Sequence, residues 1–229
     1  MAIALDGPAG AGKSTIARRV AEQLGILYLD TGAMYRAIGL KATRSGYDPK
    51  DEAAVATLLE TTDLDIRFVD GQQQVWLDGE NVSEAIRTPQ ASRAASDVST
   101  LPVVRRRLVE IQQDIASRQS LIMDGRDIGT YVLPNAAHKF FLTASLDERA
   151  RRRLQDLRNR GDAAATLEEV RTDIEYRDRQ DTQRSFAPLR QADDAVLVDT
   201  TDLTIDQVVE TILGLIAADQ PRPSRPEDS

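Results

Sequence analysis

The residues with the clearest chemical meaning are the nine at positions 7–15, GPAGAGKST. Their spacing is G-x4-G-K-S, in which small residues leave backbone N–H groups free to surround an anion. We expect this loop to bind the phosphates of ATP, with Lys13 at the β- and γ-phosphates and the Ser14 hydroxyl on the accompanying Mg²⁺. The predicted ATP-binding residues are Gly7, Pro8, Ala9, Gly10, Ala11, Gly12, Lys13, Ser14 and Thr15.

A plain glycine-rich turn could contain the same residues, so the surroundings of the loop matter. An apolar run at residues 2–6 precedes it, and a helical pattern at residues 14–24 follows, which is the strand–loop–helix context of a phosphate-binding loop. The chain lacks the Asn-Lys-x-Asp segment that reads guanine. These features favour a small-molecule kinase, which needs a second anion site and arginines opposite the loop.

Four further segments carry arginines or carboxylates that could form this second anion site. They are LDTGAMYRA (29–37), ASDVSTLPVVR (95–105), MDGRDIGT (123–130) and EYRDRQDTQRSFAPL (175–189). Arg36 can form paired hydrogen bonds with a phosphate or lie on a helix surface. Arg126 and Asp127 follow a predicted strand, between two glycines at the sheet edge, although a plain turn would contain the same residues. Arg177, Asp181 and Arg184 share a helix face, either as a binding site or as an ion-pair ladder.

Together with the phosphate-binding loop, these segments resemble the bacterial cytidylate kinases, in the same order along the chain. The resemblance extends from the first predicted strand to about residue 215. It implies a Mg²⁺-dependent enzyme that transfers the γ-phosphoryl group of ATP to CMP or dCMP, giving ADP and CDP or dCDP. Thr31 is a mild departure, because serine also occurs there in relatives and either residue supplies a hydroxyl.

The resemblance also implies how the acceptor nucleotide is held. Arg36, Arg126 and Arg184 would hold the α-phosphate of CMP, and Arg177 and Asp181 would hold the sugar hydroxyls.

The cytosine edge would be read by Thr31, Ser96, Arg105 and Asp127. A carboxylate can accept a hydrogen bond from the amino group of cytosine, which uracil lacks. The sequence therefore predicts a preference for CMP over UMP.

Residues expected to act on the transferred group are Lys13, Arg126 and Arg184. The basic run RARRRLQDLRNR at 149–160 has a solvated helix face as its ordinary explanation. The resemblance makes it part of a lid that closes over ATP and excludes water. Arg149 and Arg153 are the candidates to reach the transferring phosphoryl group.

Five short apolar runs predict the strands that must position these residues. They lie at 2–6, 26–30, 121–125, 139–144 and 195–199, and helical patterns separate them. Asp48 and Pro49 are expected to open one of these helices, Pro102 another, and capping boxes at Thr166 and Thr204 two more. The predicted fold class is α/β, with a P-loop NTPase-type five-stranded parallel sheet and flanking helices.

Residues 64–82 break this pattern, because apolar and polar residues alternate and two Asp-Gly turns follow. They predict a small antiparallel β insert. We expect one kinase domain over 1–219, with its core at 1–61 and 101–219, an NMP-binding insert at about 62–100 and a helical lid at about 149–165. The proline-rich residues 220–229 are expected to be disordered.

Composition limits the possible functions. The 229 residues carry a net charge of −8 and no cysteine, which argues against a general nucleic-acid binder and suits a reducing compartment. No signal peptide or membrane span is visible, so we expect a cytoplasmic monomer without nucleic-acid or membrane partners. The alternatives are a kinase of UMP, AMP or a sugar or shikimate-like alcohol, and a nucleotide-binding regulator without turnover.

Overall fold

The computed structural model describes residues 1–159 and 161–218. Its strands, in chain order, are β1 (Ala2–Asp6), β2 (Leu27–Asp30), β3 (Leu64–Val69), β4 (Gln72–Leu77), β5 (Glu80–Asn81), β6 (Leu121–Gly125), β7 (His138–Thr143) and β8 (Val196–Asp199). Five of them form a parallel sheet in the order β2-β6-β1-β7-β8. The five predicted strands and the predicted fold class are confirmed.

Helices cover both faces of this sheet. In chain order they are α1 (Lys13–Leu24), α2 (Thr31–Arg44), α3 (Glu52–Glu60), α4 (Pro89–Val98), α5 (Pro102–Arg118), α6 (Leu146–Asn159), α7 (Leu167–Gln183) and α8 (Ile205–Ala218). A 3-10 turn at Ala85–Arg87 and a π turn at Ile128–Val132 complete the elements. No helix in this described part of the chain has the length and apolar character needed to span a bilayer.

The central strands β6, β1 and β7 are buried on both faces, which explains why they do not alternate, whereas the edge strand β8 is mostly exposed. Ile3 and Leu5 belong to the apolar cluster that includes α1 and α8 residues, whereas Ala4 belongs to the cluster that includes α5 residues. Parallel register aligns the carboxyl ends of the strands, so that Asp6 lies opposite Gly125 and Asp30 lies opposite Asp124. Polar groups from separate segments therefore meet at one edge.

The helix starts predicted at Pro102, Thr166 and Thr204 agree with the structure, and the one predicted at Asp48 does not. Thr166 and the residue three positions later form the predicted capping box at α7. The prediction that Asp48 caps α3 was wrong. Asp51 accepts hydrogen bonds from the N–H groups of Ala53 and Ala54, whereas Asp48 accepts from Lys50 within a preceding turn. Pro49 suits a turn as well as a first helical position, so the helix begins three residues later.

The segment between α3 and α5 contains the predicted antiparallel sheet. Two-residue Asp-Gly turns join β3 to β4 and β4 to β5, and both residues of each turn have positive φ, as type I′ turns require. Helix α4 follows this sheet and packs against α2. We call β3, β4, β5 and α4 the insert.

Residues 149–159 of the basic run predicted as a lid lie within α6, residue 160 lies outside the described residues, and the lid range ends just before α7. The division into core, insert and lid remains a prediction. The predicted disordered tail at 220–229 lies outside the described residues.

Candidate active site

A cleft of about 1350 Å³ opens at the carboxyl edge of the parallel sheet. Residues 10–15 of the phosphate-binding loop, here called the P-loop (residues 7–15), form one wall. The other predicted site residues that line the cleft are Thr31, Arg36, Ser96, Arg105, Arg126, Asp127, Arg153, Arg177, Asp181 and Arg184. Segments far apart in sequence thus meet around one space.

The P-loop needs its glycines for steric reasons. Gly7 has φ +149°, and a Cβ there would lie 2.0 Å from the carbonyl oxygen of Leu142. Gly12 has φ +85° and precedes the first residue of α1. The N-terminus of α1 therefore points into the cleft, where its free N–H groups favour an anion.

Lys13 is buried and its ammonium donates a 2.8 Å hydrogen bond to the carbonyl oxygen of Pro8. Burial, followed by the charge of Arg126, lowers the pKa of Lys13 to about 7. A negative ligand beside Lys13 would reverse this shift, because an opposite charge favours the ammonium form.

Ser14 has a carboxylate neighbour that the sequence did not assign to the site. Its hydroxyl donates to Asp124 at 2.8 Å, and the Tyr28 hydroxyl donates to the other carboxylate oxygen at 3.0 Å. Burial, followed by the charge of Asp30, raises the pKa of Asp124 to about 6. Hydroxyl and carboxylate oxygens side by side fit Mg²⁺ that takes its other ligands from phosphates and water. The acidic end of β6, one strand from the P-loop, was the signal available in the sequence.

The arginines expected at the acceptor phosphate are all paired with acids. Arg36 donates to Asp30 at 2.6 Å, and Arg126 donates to Asp181 at 2.6 Å. Burial alone would raise the pKa of Asp181, but the charges of Arg126 and Arg184 hold it below its ordinary value.

Near the middle of the cleft, the positive charge of the cationic side chains is nevertheless larger than the negative charge of the acids paired with them. Burial, followed by the charge of Arg126, lowers the pKa of Arg177 to about 10. Lys13 experiences the same repulsion from Arg126 and Arg177. Positive charge that lowers the pKa values of both Lys13 and Arg177 in a concave site favours an anionic ligand.

The predicted base-reading residues form a buried group at the far end of the cleft. Arg105 donates to Asp127 at 2.5 Å, and Arg184 donates to the other oxygen of Asp127 at 3.2 Å. The Ser96 Oγ, Arg36 Nε and Arg105 Nε atoms are buried and have no hydrogen-bond partner in residues 1–159 and 161–218. Buried polar groups normally have partners, and in this cleft these atoms are available to form hydrogen bonds with a ligand.

Two more residues, Tyr35 and Gln73, border this end of the cleft and were missed from the sequence, whereas Thr31 was predicted. The Tyr35 ring lies 5.5 Å from the Arg105 guanidinium carbon, and Gln73 of the insert exchanges two hydrogen bonds with the backbone of Asp30. The Thr31 hydroxyl donates to the carbonyl oxygen of Asp124 at 2.8 Å, which leaves its lone pairs as acceptors. Tyr35 directly precedes Arg36, but Gln73 gave no signal in the sequence.

The two lid candidates lie in different places. Arg153 lines the cleft, whereas Arg149 is buried beneath the P-loop and donates to the carbonyl oxygens of Ala9 and Ala144. Arg152, which the sequence did not single out, donates to the hydroxyl and carbonyl oxygens of Thr200 at the mouth of the cleft. The position of Arg149 favours a role in holding the P-loop.

The fold and the cleft define the class of P-loop kinases, with a phosphate-binding loop facing a second cluster of cationic side chains. The family model of cytidylate kinase matches residues 3–218. A cytidylate kinase of Caldicellulosiruptor bescii is 51% identical over 216 residues, which cover 93% of this chain and 94% of that protein. A cytidylate kinase of Lactobacillus johnsonii is 46% identical over 220 residues, which cover 96% of this chain and 95% of that protein. The chain belongs to the cytidylate kinase family, and the predicted resemblance is confirmed.

Solved structures support the fold independently of these relatives. An uncharacterized protein from Eubacterium ventriosum has a TM-score of 0.52 at 13% identity and covers 95% of this chain and 98% of its own. At this identity the likeness shows the fold alone.

Proposed function

We propose that the chain transfers the γ-phosphoryl group of ATP to CMP or dCMP, producing ADP and CDP or dCDP. The observation that carries this proposal is the second cationic site across the cleft from the P-loop, which ends in the buried Arg105–Asp127 pair. A phosphate can lie at the cations while a polar base edge reaches the pair. Family membership supports the same reaction.

The donor nucleotide would lie along the P-loop, with its phosphates at the N-terminus of α1. Lys13 would exchange the carbonyl oxygen of Pro8 for phosphate oxygens. Ser14 and Asp124 are the residues that would hold Mg²⁺, which supplies neutralisation of the phosphate oxygens. The exposed apolar side chains of Leu203 and Ile205 line the cleft beyond α1 and offer a surface to the adenine base.

The acceptor phosphate would lie among Arg36, Arg126 and Arg184, and the sugar beside Arg177 and Asp181. These arginines are oriented by carboxylates before any substrate binds, so little reorganisation is needed. The acceptor oxygen is already anionic, and transfer needs no strong general base. The side chains contribute positioning and neutralisation of charge in the transition state.

The base end of the site would select cytosine. Asp127 can accept from the cytosine amino group, while Ser96 and Arg105 offer the unpartnered buried atoms described above. Uracil would place a carbonyl oxygen against a carboxylate, and such a mismatch costs about 1–3 kcal/mol per buried group. We therefore infer a preference for CMP over UMP of about ten- to a hundredfold in kcat/KM.

The lid at 149–165, the monomeric state and a cytoplasmic location are part of this proposal. One chain supplies every group named above, and the absence of cysteine suits a reducing compartment. Arg153 is the candidate of the lid that lines the cleft.

A coupled assay of ADP formation with CMP, dCMP, UMP, AMP and shikimate as acceptors tests the proposal. We expect CMP and dCMP to be the preferred acceptors. Equal use of UMP would contradict the cytosine reading, and a preference for AMP or an alcohol would contradict the acceptor assignment. ATP binding without ADP formation would indicate a regulator.

A further inference from the structure

Three consecutive residues of α7 reach three different parts of the molecule. Successive helical residues point about 100° apart. Arg177 lines the cleft, Tyr176 contacts helix α4 of the insert, and Asp178 contacts the P-loop. One turn of helix thus connects the walls that face each other across the cleft.

The contact with the P-loop includes hydrogen bonds to both the backbone N–H and the carbonyl oxygen of Ala9. Asp178 accepts a 3.0 Å hydrogen bond from the N–H of Ala9, and Arg149 of α6 donates to the Ala9 carbonyl oxygen at 2.9 Å. Asp178 and Arg149 also form an ion pair at 2.5 Å, with side chains 21% and 10% exposed. Charged, partly buried hydrogen bonds of this kind restrict backbone orientation strongly.

Packing reinforces this contact from the side opposite the phosphates. Ala9 is buried in a cluster with Ala150 of α6 and Val170 and Ile174 of α7. A Cβ at Gly10 would lie 3.1 Å from the Cβ of Arg149. The shape of the P-loop therefore depends on where α6 and α7 lie.

The contact with the insert lies beside the base-reading serine. The Tyr176 hydroxyl donates to Asp97 at 2.5 Å and accepts from Gln180 at 3.0 Å. The Arg93 guanidinium lies 4.8 Å from the centre of the tyrosine ring. Since Asp97 directly follows Ser96 on α4, this bond ties α7 to the helix that carries Ser96.

We propose that Asp178 and Tyr176 are positioning residues for the transfer. Asp178, with Arg149, holds the P-loop around ATP, and Tyr176 holds α4 around the acceptor base, so that α7 sets the distance between donor and acceptor. The inference rests on the proposed function, because it takes the P-loop as the ATP subsite and Ser96 as part of the acceptor subsite.

The test compares three substitutions within four residues of one helix. Asp178→Asn removes the charge that pairs with Arg149, Tyr176→Phe removes one hydroxyl, and Glu175→Gln is the control because its ion pair with Arg171 is exposed. We expect Asp178→Asn to raise the KM and Kd for ATP about tenfold and Tyr176→Phe to raise those for CMP about fivefold. Each variant should change the KM and Kd for the other substrate by no more than about twofold, and the control should change the values for both substrates by no more than that.

Selectivity between the substrates separates positioning from general stability. Equal losses for ATP and CMP in either variant, or values equal to those of Glu175→Gln, would overturn the proposal. Should Asp178→Asn fail to fold, Arg149→Lys is the second variant. Lysine keeps the positive charge but cannot form all the guanidinium hydrogen bonds of Arg149, so it must weaken ATP binding without weakening CMP binding. If the wild-type enzyme preferred another acceptor, the proposed function would fail, and the same selectivity measured with that acceptor would still decide the inference.

Discussion

Replacing Asp127 by asparagine tests the buried charges at the base end of the cleft. The Asp127 carboxylate lies 2.5 Å from Arg105 and 3.2 Å from Arg184, and the three side chains are 6%, 1% and 2% exposed. Asparagine has nearly the same shape but no charge. Both guanidiniums would then lose a counter-charge without a change in packing volume.

The expected loss of stability follows from this burial. Removing one partner of a buried ion pair costs about 3–5 kcal/mol. Asparagine keeps one carbonyl oxygen as an acceptor, so we expect the lower limit, about 3 kcal/mol. For a domain of this size 1 kcal/mol shifts Tm by about 2–4 °C, which predicts a fall of roughly 6–12 °C.

The same substitution should reduce base selectivity. A carboxylate only accepts hydrogen bonds, whereas an amide can rotate to present either its oxygen or its N–H groups. Asp127→Asn should therefore reduce the ratio of kcat/KM for CMP over UMP to about threefold or less, mainly through loss of CMP activity.

Thermal unfolding and ADP-coupled kinetics measure the two effects. Asp114→Asn is the matched control, because Asp114 pairs with Arg118 on the exposed face of α5. That control should shift Tm by less than about 2 °C and keep the selectivity. A variant Asp127→Asn with the wild-type CMP/UMP ratio would refute the base-reading role, and one as stable as Asp114→Asn would refute the energetic argument.

Three further predictions concern the two subsites. Lys13→Gln should abolish phosphoryl transfer while circular dichroism shows an intact fold, and near-wild-type turnover would exclude the P-loop from the mechanism. Because burial and the charge of Arg126 lower the pKa of Lys13 to about 7 and phosphates would raise it, ATP binding at pH 8 should be accompanied by net proton uptake at this site. ATP affinity should accordingly fall as pH rises above 7. Calorimetry in two buffers of different ionisation enthalpy measures the proton uptake, which the Lys13→Gln variant should lack. An equal proton uptake in that variant would contradict the assignment of the uptake to Lys13. Asp181→Ala should raise the KM for CMP and dCMP about tenfold with ATP affinity within about twofold, and an equal loss of ATP affinity would place Asp181 outside the acceptor site.

Local sequence patterns predicted the elements whose structure is determined by neighbouring residues. The five apolar runs, the P-loop spacing and the capping box at Thr166 are confirmed in place. Helix α4 was not foreseen, because its buried positions are two alanines, a serine and a valine, which give little apolar periodicity. Those small residues allow close packing instead, since a Cβ at Gly39 of α2 would lie 2.8 Å from the Cβ of Ala94.

Contacts between distant segments account for the residues that the sequence did not assign. Asp124 binds Ser14 across 110 positions, Gln73 binds Asp30 across 43, and Asp178 binds Ala9 across 169. No local pattern encodes such pairs. The position of Arg149 could not be predicted for the same reason, because a run of basic residues on a helix does not reveal which side chain faces the interior.

Phosphorus NMR of a single reaction mixture tests the central proposal most directly. With enzyme, MgATP and CMP, we expect the CDP and ADP signals to grow in equal amounts without inorganic phosphate, and chelation of Mg²⁺ to stop both. Growth of ADP and inorganic phosphate without CDP would contradict transfer to the nucleotide acceptor.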